Sequence, residues 1–214
     1  MQDVREMLYD ISPLVTSSTA VFPGDTALTR EVLLDHSRGD NLTLSTIRAT
    51  CHLGAHIDAP SHYGESAESI EAMALEVCIG RCQVMKVEAS PRQRIGIDDL
   101  PGEVTAERLL ISTGSFPDPH DFNDDFAAID PALVETLAAG GLRLLGVDTP
   151  SVDVSDSKDL PSHSACLAHG VTILEGVVLS AVPDGIYELI ALPLHLEGFD
   201  ASPVRAVLRT LPTV

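Results

Sequence analysis

Apolar positions along the chain recur mostly with a period of two or as short unbroken runs, which predicts strands more often than helices. Residues 8–14, 29–34, 42–49, 82–87, 108–113, 142–147, 171–174, 187–194 and 204–208 form such segments. They are rich in Val, Ile, Leu and Thr, and many end at Gly, Pro or Asp. Two stretches carry helix signals instead. At 131–139, Asp130 is placed to cap, Pro131 suits the first helical position, and Gly140-Gly141 ends the run. At 161–169, Pro161 opens a second helix behind Asp159 or Leu160, and Gly170 closes it. A third helix is expected near 70–77. Between the strand at 108–113 and the first helix, 115–125 holds two prolines and four aspartates and reads as a long surface loop. Strands outnumber helices and the two interleave, so the expected class is α/β with a mixed sheet. No repeat or linker divides the 214 residues, and one domain spanning 1–214 is expected.

Charge narrows the partners. Thirteen Lys and Arg against 32 Asp and Glu leave a formal charge of −19. Such a surface repels nucleic acid and anionic membrane. No apolar run approaches the roughly 20 residues that cross a bilayer. The start, Met1-Gln2-Asp3-Val4-Arg5-Glu6, lacks the basic and apolar pattern of a leader, so a cytoplasmic location is expected. The four cysteines form no Cys-x-x-Cys pair. Cys78, Cys82 and Cys166 read as buried hydrophobes. Cys51, beside His52, could be a nucleophile or an extra ligand, though a structural thiol is the commoner role.

The stretch that carries chemistry is His52-Leu-Gly-Ala-His56-Ile-Asp58-Ala-Pro60-Ser-His62. It gathers three of the 8 histidines and one carboxylate into eleven residues. His and Asp are the ligands that zinc, manganese and similar ions prefer. Neither regular element presents all four. In a helix Asp58 would point away from His52 and His56, and Pro60 is hostile. A straight strand would hold His52 and His56 ~13 Å apart. Two ligands of one ion must bring their nitrogens within about 4 Å. The chain must therefore bend, and Gly54 is where a bend is cheapest. The segment reads as the end of the 42–49 strand followed by a tight loop.

Glu175 interrupts the apolar run 171–179, so a positive group must meet it, either an arginine or a cation. His163 and His169 lie six residues apart on the second helix and cannot face the same way. His169 suits the helix C-terminus, which leaves His163 as the preferred ligand. Asp148, directly after a strand, either lines a site or caps a turn. His36, His120 and His195 have no cluster around them.

These residues resemble the metal-dependent cyclase-like hydrolases, and within them the bacterial kynurenine formamidases (arylformamidases). The likeness runs through Asp10-Ile-Ser-Pro13, Phe22-Pro-Gly-Asp-Thr26, the His52–His62 motif with Tyr63, Leu145 to Asp153, Ile173-Leu-Glu-Gly176, Tyr187 to Leu194, and Ala201 to Arg209. It implies a barrel-like core of the swivelling β/β/α type and a homodimer or larger assembly. It also implies two divalent ions, zinc before manganese or cobalt. His52, His56 and Asp58 would hold one ion. Asp58 would bridge to a second, held by His163 and Glu175, and His62 would transfer protons. Such formamidases usually carry Trp before Pro-Gly-Asp, whereas this chain has Phe22 and no Trp, which keeps an apolar ring but loses area and the indole N–H.

The expected reaction is hydrolysis of N-formyl-L-kynurenine to L-kynurenine and formate, a step of tryptophan degradation. Metal-activated water would attack the formyl carbon, and Phe22 and Tyr63 would pack on the arene. One alternative is the same scaffold opening another amide, such as the lactam of isatin. Another is a metal-binding homologue without activity. A serine hydrolase is disfavoured, because no Gly-x-Ser-x-Gly elbow is present.

Overall fold

A computed structural model describes residues 7–212, so the N-terminal residues behind the leader reading lie outside it. In chain order the elements are β1 (Leu8–Asp10), β2 (Thr29–Leu34), β3 (Leu44–Arg48), β4 (His56–Asp58), β5 (Ile79–Lys86), β6 (Arg94–Ile95) and β7 (Arg108–Ser112). There follow β8 (Ala128–Ile129), α1 (Pro131–Ala139), β9 (Leu144–Val147), α2 (Pro161–His169), β10 (Thr172–Glu175), β11 (Gly185–Ile190), β12 (Ala201–Pro203) and β13 (Val207–Thr210). Nine strands form one curled sheet in the order β1-β13-β11-β5-β7-β9-β10-β4-β12. Its centre, β5-β7-β9-β10, is parallel, and the remaining neighbours are antiparallel. The class is α/β in a single domain, with a half-barrel sheet and two helices.

Alternation along the strands divides the core into two layers. Leu110, Leu144, Leu174 and Ile57 point into the curl, with Tyr187, Leu189 and Leu208. Leu109, Ile111, Leu145, Val147 and Ile173 point outward against Leu133, Val134 and Leu137 of α1 and Cys166 of α2. Both helices begin and end where their local signals placed them. Asp130 caps α1 by accepting from the Ala132 N–H at 2.8 Å, and Gly170 closes α2 in the left-handed conformation. Among the described residues, no helix is long and apolar enough to cross a membrane.

Three expectations change. The helix near 70–77 is two short 3-10 turns, Ile70–Ala72 and Leu75–Val77, separated by extended Met73 and Ala74. Buried Arg108 takes the carbonyls of Glu76 and Val77, holding the chain to a tertiary donor. The 42–49 strand pairs only over Leu44–Arg48, in a separate two-stranded ribbon with β2. Residues 56–58 belong to no loop: they are β4, between β10 and β12 in the main sheet.

Candidate active site

The bend that the motif required lies at Gly54, in the left-handed region at φ +60°. Its carbonyl accepts from His56 Nδ1 at 2.9 Å. Directly across the sheet, Gly176 (φ +67°) lets β10 approach that bend, because a Cβ there would lie 2.3 Å from the Gly54 oxygen. The register pairs His56 with Glu175 and Asp58 with Ile173. Residues two apart share a face, so His56, Asp58 and Glu175 lie on one side while Ile57 and Leu174 enter the core. That side faces α2, where Asp153 accepts from the backbone N–H groups of Ser162 and His163 and from His163 Nδ1 at 2.9 Å.

The result is a buried cluster. His56, Asp58, His163 and Glu175 are each no more than 3% exposed. His56 Nε2 lies 3.3 Å from Glu175 Oε2 and 3.5 Å from Asp58 Oδ1. His163 Nε2 lies 3.6 Å from Asp58 Oδ2 and 3.7 Å from Glu175 Oε1. His52 Nδ1 approaches Asp58 Oδ1 to 3.1 Å from the half-buried rim. The outer bonds decide the inner chemistry. His56 Nδ1 must donate to a carbonyl and His163 Nδ1 donates to Asp153, so each neutral ring turns its Nε2 lone pair toward carboxylates. Consistent with this, His56 Nε2 and both Asp58 oxygens are buried without a hydrogen-bond partner. Lone pairs facing anions in a dry site need positive charge between them.

Without metal, protons can supply part of that charge. Burial lowers the His163 pKa, but Asp153, Asp58 and Glu175 outweigh it and lift it to about 10. The same opposition at His52, with Asp58 and Asp200 as partners, gives about 9. Burial would raise the Asp58 carboxyl, yet the facing imidazoles of His163 and His52 hold it well below the usual range. His62 differs: burial and the neighbouring imidazoles lower it. A cation would replace those protons. Ligand atoms close enough for one ion occur in His52/His56/Asp58, in Asp58/His62/His163 and in His52/His62/Asp200. An oxygen and imidazole donor set suits zinc, manganese or cobalt.

His52, His56, Asp58, His62, His163 and Glu175 therefore come together. Phe22 and Tyr63 do not share a wall. Tyr63 packs on His163, with ring centroids 5.2 Å apart. Phe22 lines a cavity of about 150 Å³ that opens onto His52 and His56. This cavity lies beyond the carboxyl ends of the parallel strands, bordered by Ser112, Asp148 and Gly176. Phe22 meets Phe122 edge-on at 5.2 Å, and Phe116 packs on Phe122 at 6.0 Å. The expected surface loop thus supplies the aromatic wall. Asp148 is a turn cap, accepting from the Thr113 and Gly114 amides, as well as a lining residue. Burial pushes the Cys51 thiol up, which disfavours a nucleophilic role. Sequence reading missed Asp153, Asp200, Phe116 and Phe122.

Residues 9–154, more than half the chain, match the family model described as "Putative cyclase". The chain belongs to the cyclase family. Among solved structures, one described as a "Potential Metal-Dependent Hydrolase With Cyclase Activity" superposes on this cyclase-family chain with a TM-score of 0.84. It covers 97% of this chain and 100% of its own at 25% identity. A "predicted metal-dependent hydrolase from Bacillus stearothermophilus" gives 0.82 at 26% identity, covering 96% and 99%. Isatin hydrolase A from Labrenzia aggregata gives 0.84 over 97% and 94%, and its 18% identity makes that a likeness of fold alone.

Proposed function

We propose that this cyclase-family protein is a metal-dependent amide hydrolase acting on aryl amides, with N-formyl-L-kynurenine as the substrate and kynurenine and formate as products. The observation that carries the reading is the buried, unpartnered set of His56 Nε2 and the two Asp58 oxygens, facing His163 and Glu175 beside an aromatic cavity. His52, His56 and Asp58 would hold one divalent ion, and Asp58, His163 and Glu175 a second, with zinc the first choice. Such ions, when bound, bring the pKa of water to about 7 and polarise a carbonyl. The chain's own residues do the rest. Phe22, Phe116 and Phe122 pack against the arene and exclude water. Asp153 and the Gly54 carbonyl fix the ring orientation of His163 and His56. Water adds to the formyl carbon, the C–N bond breaks, and His62 returns a proton to the departing aryl amine.

Isatin is the second reading. No Lys or Arg occurs among the described residues lining the cavity, a wall that suits an uncharged lactam better than the α-carboxylate of an amino-acid substrate. Zinc-reconstituted protein assayed on both amides separates the two, and metal-loaded protein that opens neither would overturn the proposal. The variants His56→Ala and His62→Ala assign the roles. The first is expected to lose metal; the second is expected to keep it while turnover falls about 100- to 10,000-fold. We infer further a homodimer, supported by the exposed ribbon of β2 and β3, and, from the sequence alone, a cytoplasmic location.

A further inference from the structure

One carboxylate touches two of the site's histidines from outside the buried cluster. β12 pairs with β4 so that Ala201 lies opposite Asp58, and the Asp200 carbonyl accepts from the Ala59 N–H at 2.8 Å. The sheet therefore fixes the Asp200 backbone beside the ligand strand, although its side chain is 52% exposed. Asp200 Oδ2 lies 3.1 Å from His52 Nε2, as a hydrogen bond, and 3.5 Å from His62 Nδ1. The two rings stand 4.2 Å apart, tilted by 43°.

Each contact favours one tautomer. His52 turns Nδ1 toward Asp58, so a ring that gives that nitrogen to an ion carries its proton on Nε2, where Asp200 accepts it. His62 with its proton on Nδ1 leaves Nε2 as the free base, the nitrogen able to exchange a proton with a bound molecule. A small rotation of either side chain would bring His62 Nδ1 within hydrogen-bond reach of Asp200, as catalytic contacts tighten when a site fills.

We propose that Asp200 is a positioning residue that sets the tautomers of both His52 and His62, coupling the metal shell to the proton-transfer group. This rests on the metal-hydrolase reading above. The test uses full-length wild type, Asp200→Ala and Asp200→Asn, metal-free and zinc-loaded, with zinc affinity read by chelator competition. Long-range ¹H–¹⁵N spectra report the histidine tautomers, with His62→Gln giving the assignment. In wild type, His62 is expected as the Nδ1–H form. In Asp200→Ala it shifts toward Nε2–H, and zinc affinity falls about 10- to 100-fold. Asp200→Asn, which keeps an accepting carbonyl and the side-chain shape, falls less than Asp200→Ala. Unchanged tautomers and zinc affinity in a folded Asp200→Ala protein would overturn the proposal. So would a drop in zinc stoichiometry, which would make Asp200 a ligand. Wild type that takes up no zinc would sink the hydrolase reading, while the metal-free spectra would still judge the hold of Asp200 on His62.

Discussion

His163 and His52 sit among carboxylates, so the metal-free protein keeps protons on them up to about 10 and about 9 respectively. A folded-state pKa raised above the ordinary value adds stability that is complete below about pH 6.5 and fades as pH climbs through those raised values. Metal must displace these protons, so its binding should release them and tighten as pH rises. Calorimetry of zinc binding near pH 7, in buffers of different ionisation heat, should therefore show net proton release; none would contradict the protonated cage. In chelator, thermal stability should decline as pH rises above about 7. The clustered His and Asp of 52–62 stood out in the sequence because imidazole is scarce in it. Asp153 and Asp200 did not, since they are two of 32 acidic residues and meet their histidines only through folding.

At the scale of elements, caps and breakers were local signals, so α1 and α2 were legible to the residue. β4 was not. Three residues carry no periodicity of their own, and β4 exists because β10 and β12, remote in sequence, flank it. The same crossing explains why Gly176 tolerates no side chain. Gly176→Ala combines a left-handed backbone with a Cβ 2.3 Å from the Gly54 oxygen. It should cost about 3 kcal/mol in urea unfolding and weaken zinc binding, because the displaced bend carries His52 and His56. An alanine variant with wild-type stability and affinity would show that this approach can relax. The loop at 115–125 was legible as a loop and illegible as a wall, because Phe122 finds Phe22, and Phe116 packs on Phe122, only in three dimensions. Phe122→Ala should raise KM for aromatic amides several-fold while leaving zinc content unchanged.

For the whole molecule the unexplained feature is the ribbon of β2 and β3, which pairs with no other strand. A two-stranded hairpin is marginal in water without something to pack on. This one exposes Leu33, Leu42, Leu44 and Ile47, the last to 72%. Ile47 borders an apolar groove with Leu14, Val15, Leu194 and Leu196, and exposed apolar surface of this kind marks an interaction site. In the proposed homodimer the ribbon of one subunit would pack into the groove of the other, as a two-fold axis allows. The groove wall also includes Thr50 and Cys51, which lead directly into His52. A dimer contact there would steady the strand-to-bend segment that carries the first ligand. Ile47→Asp should therefore sediment as a monomer where wild type sediments as a dimer, and it should bind zinc more weakly although residue 47 touches no ligand. Monomeric wild type would remove the dimer, and a monomeric variant with unchanged zinc affinity would show that the metal site stands without the neighbouring subunit.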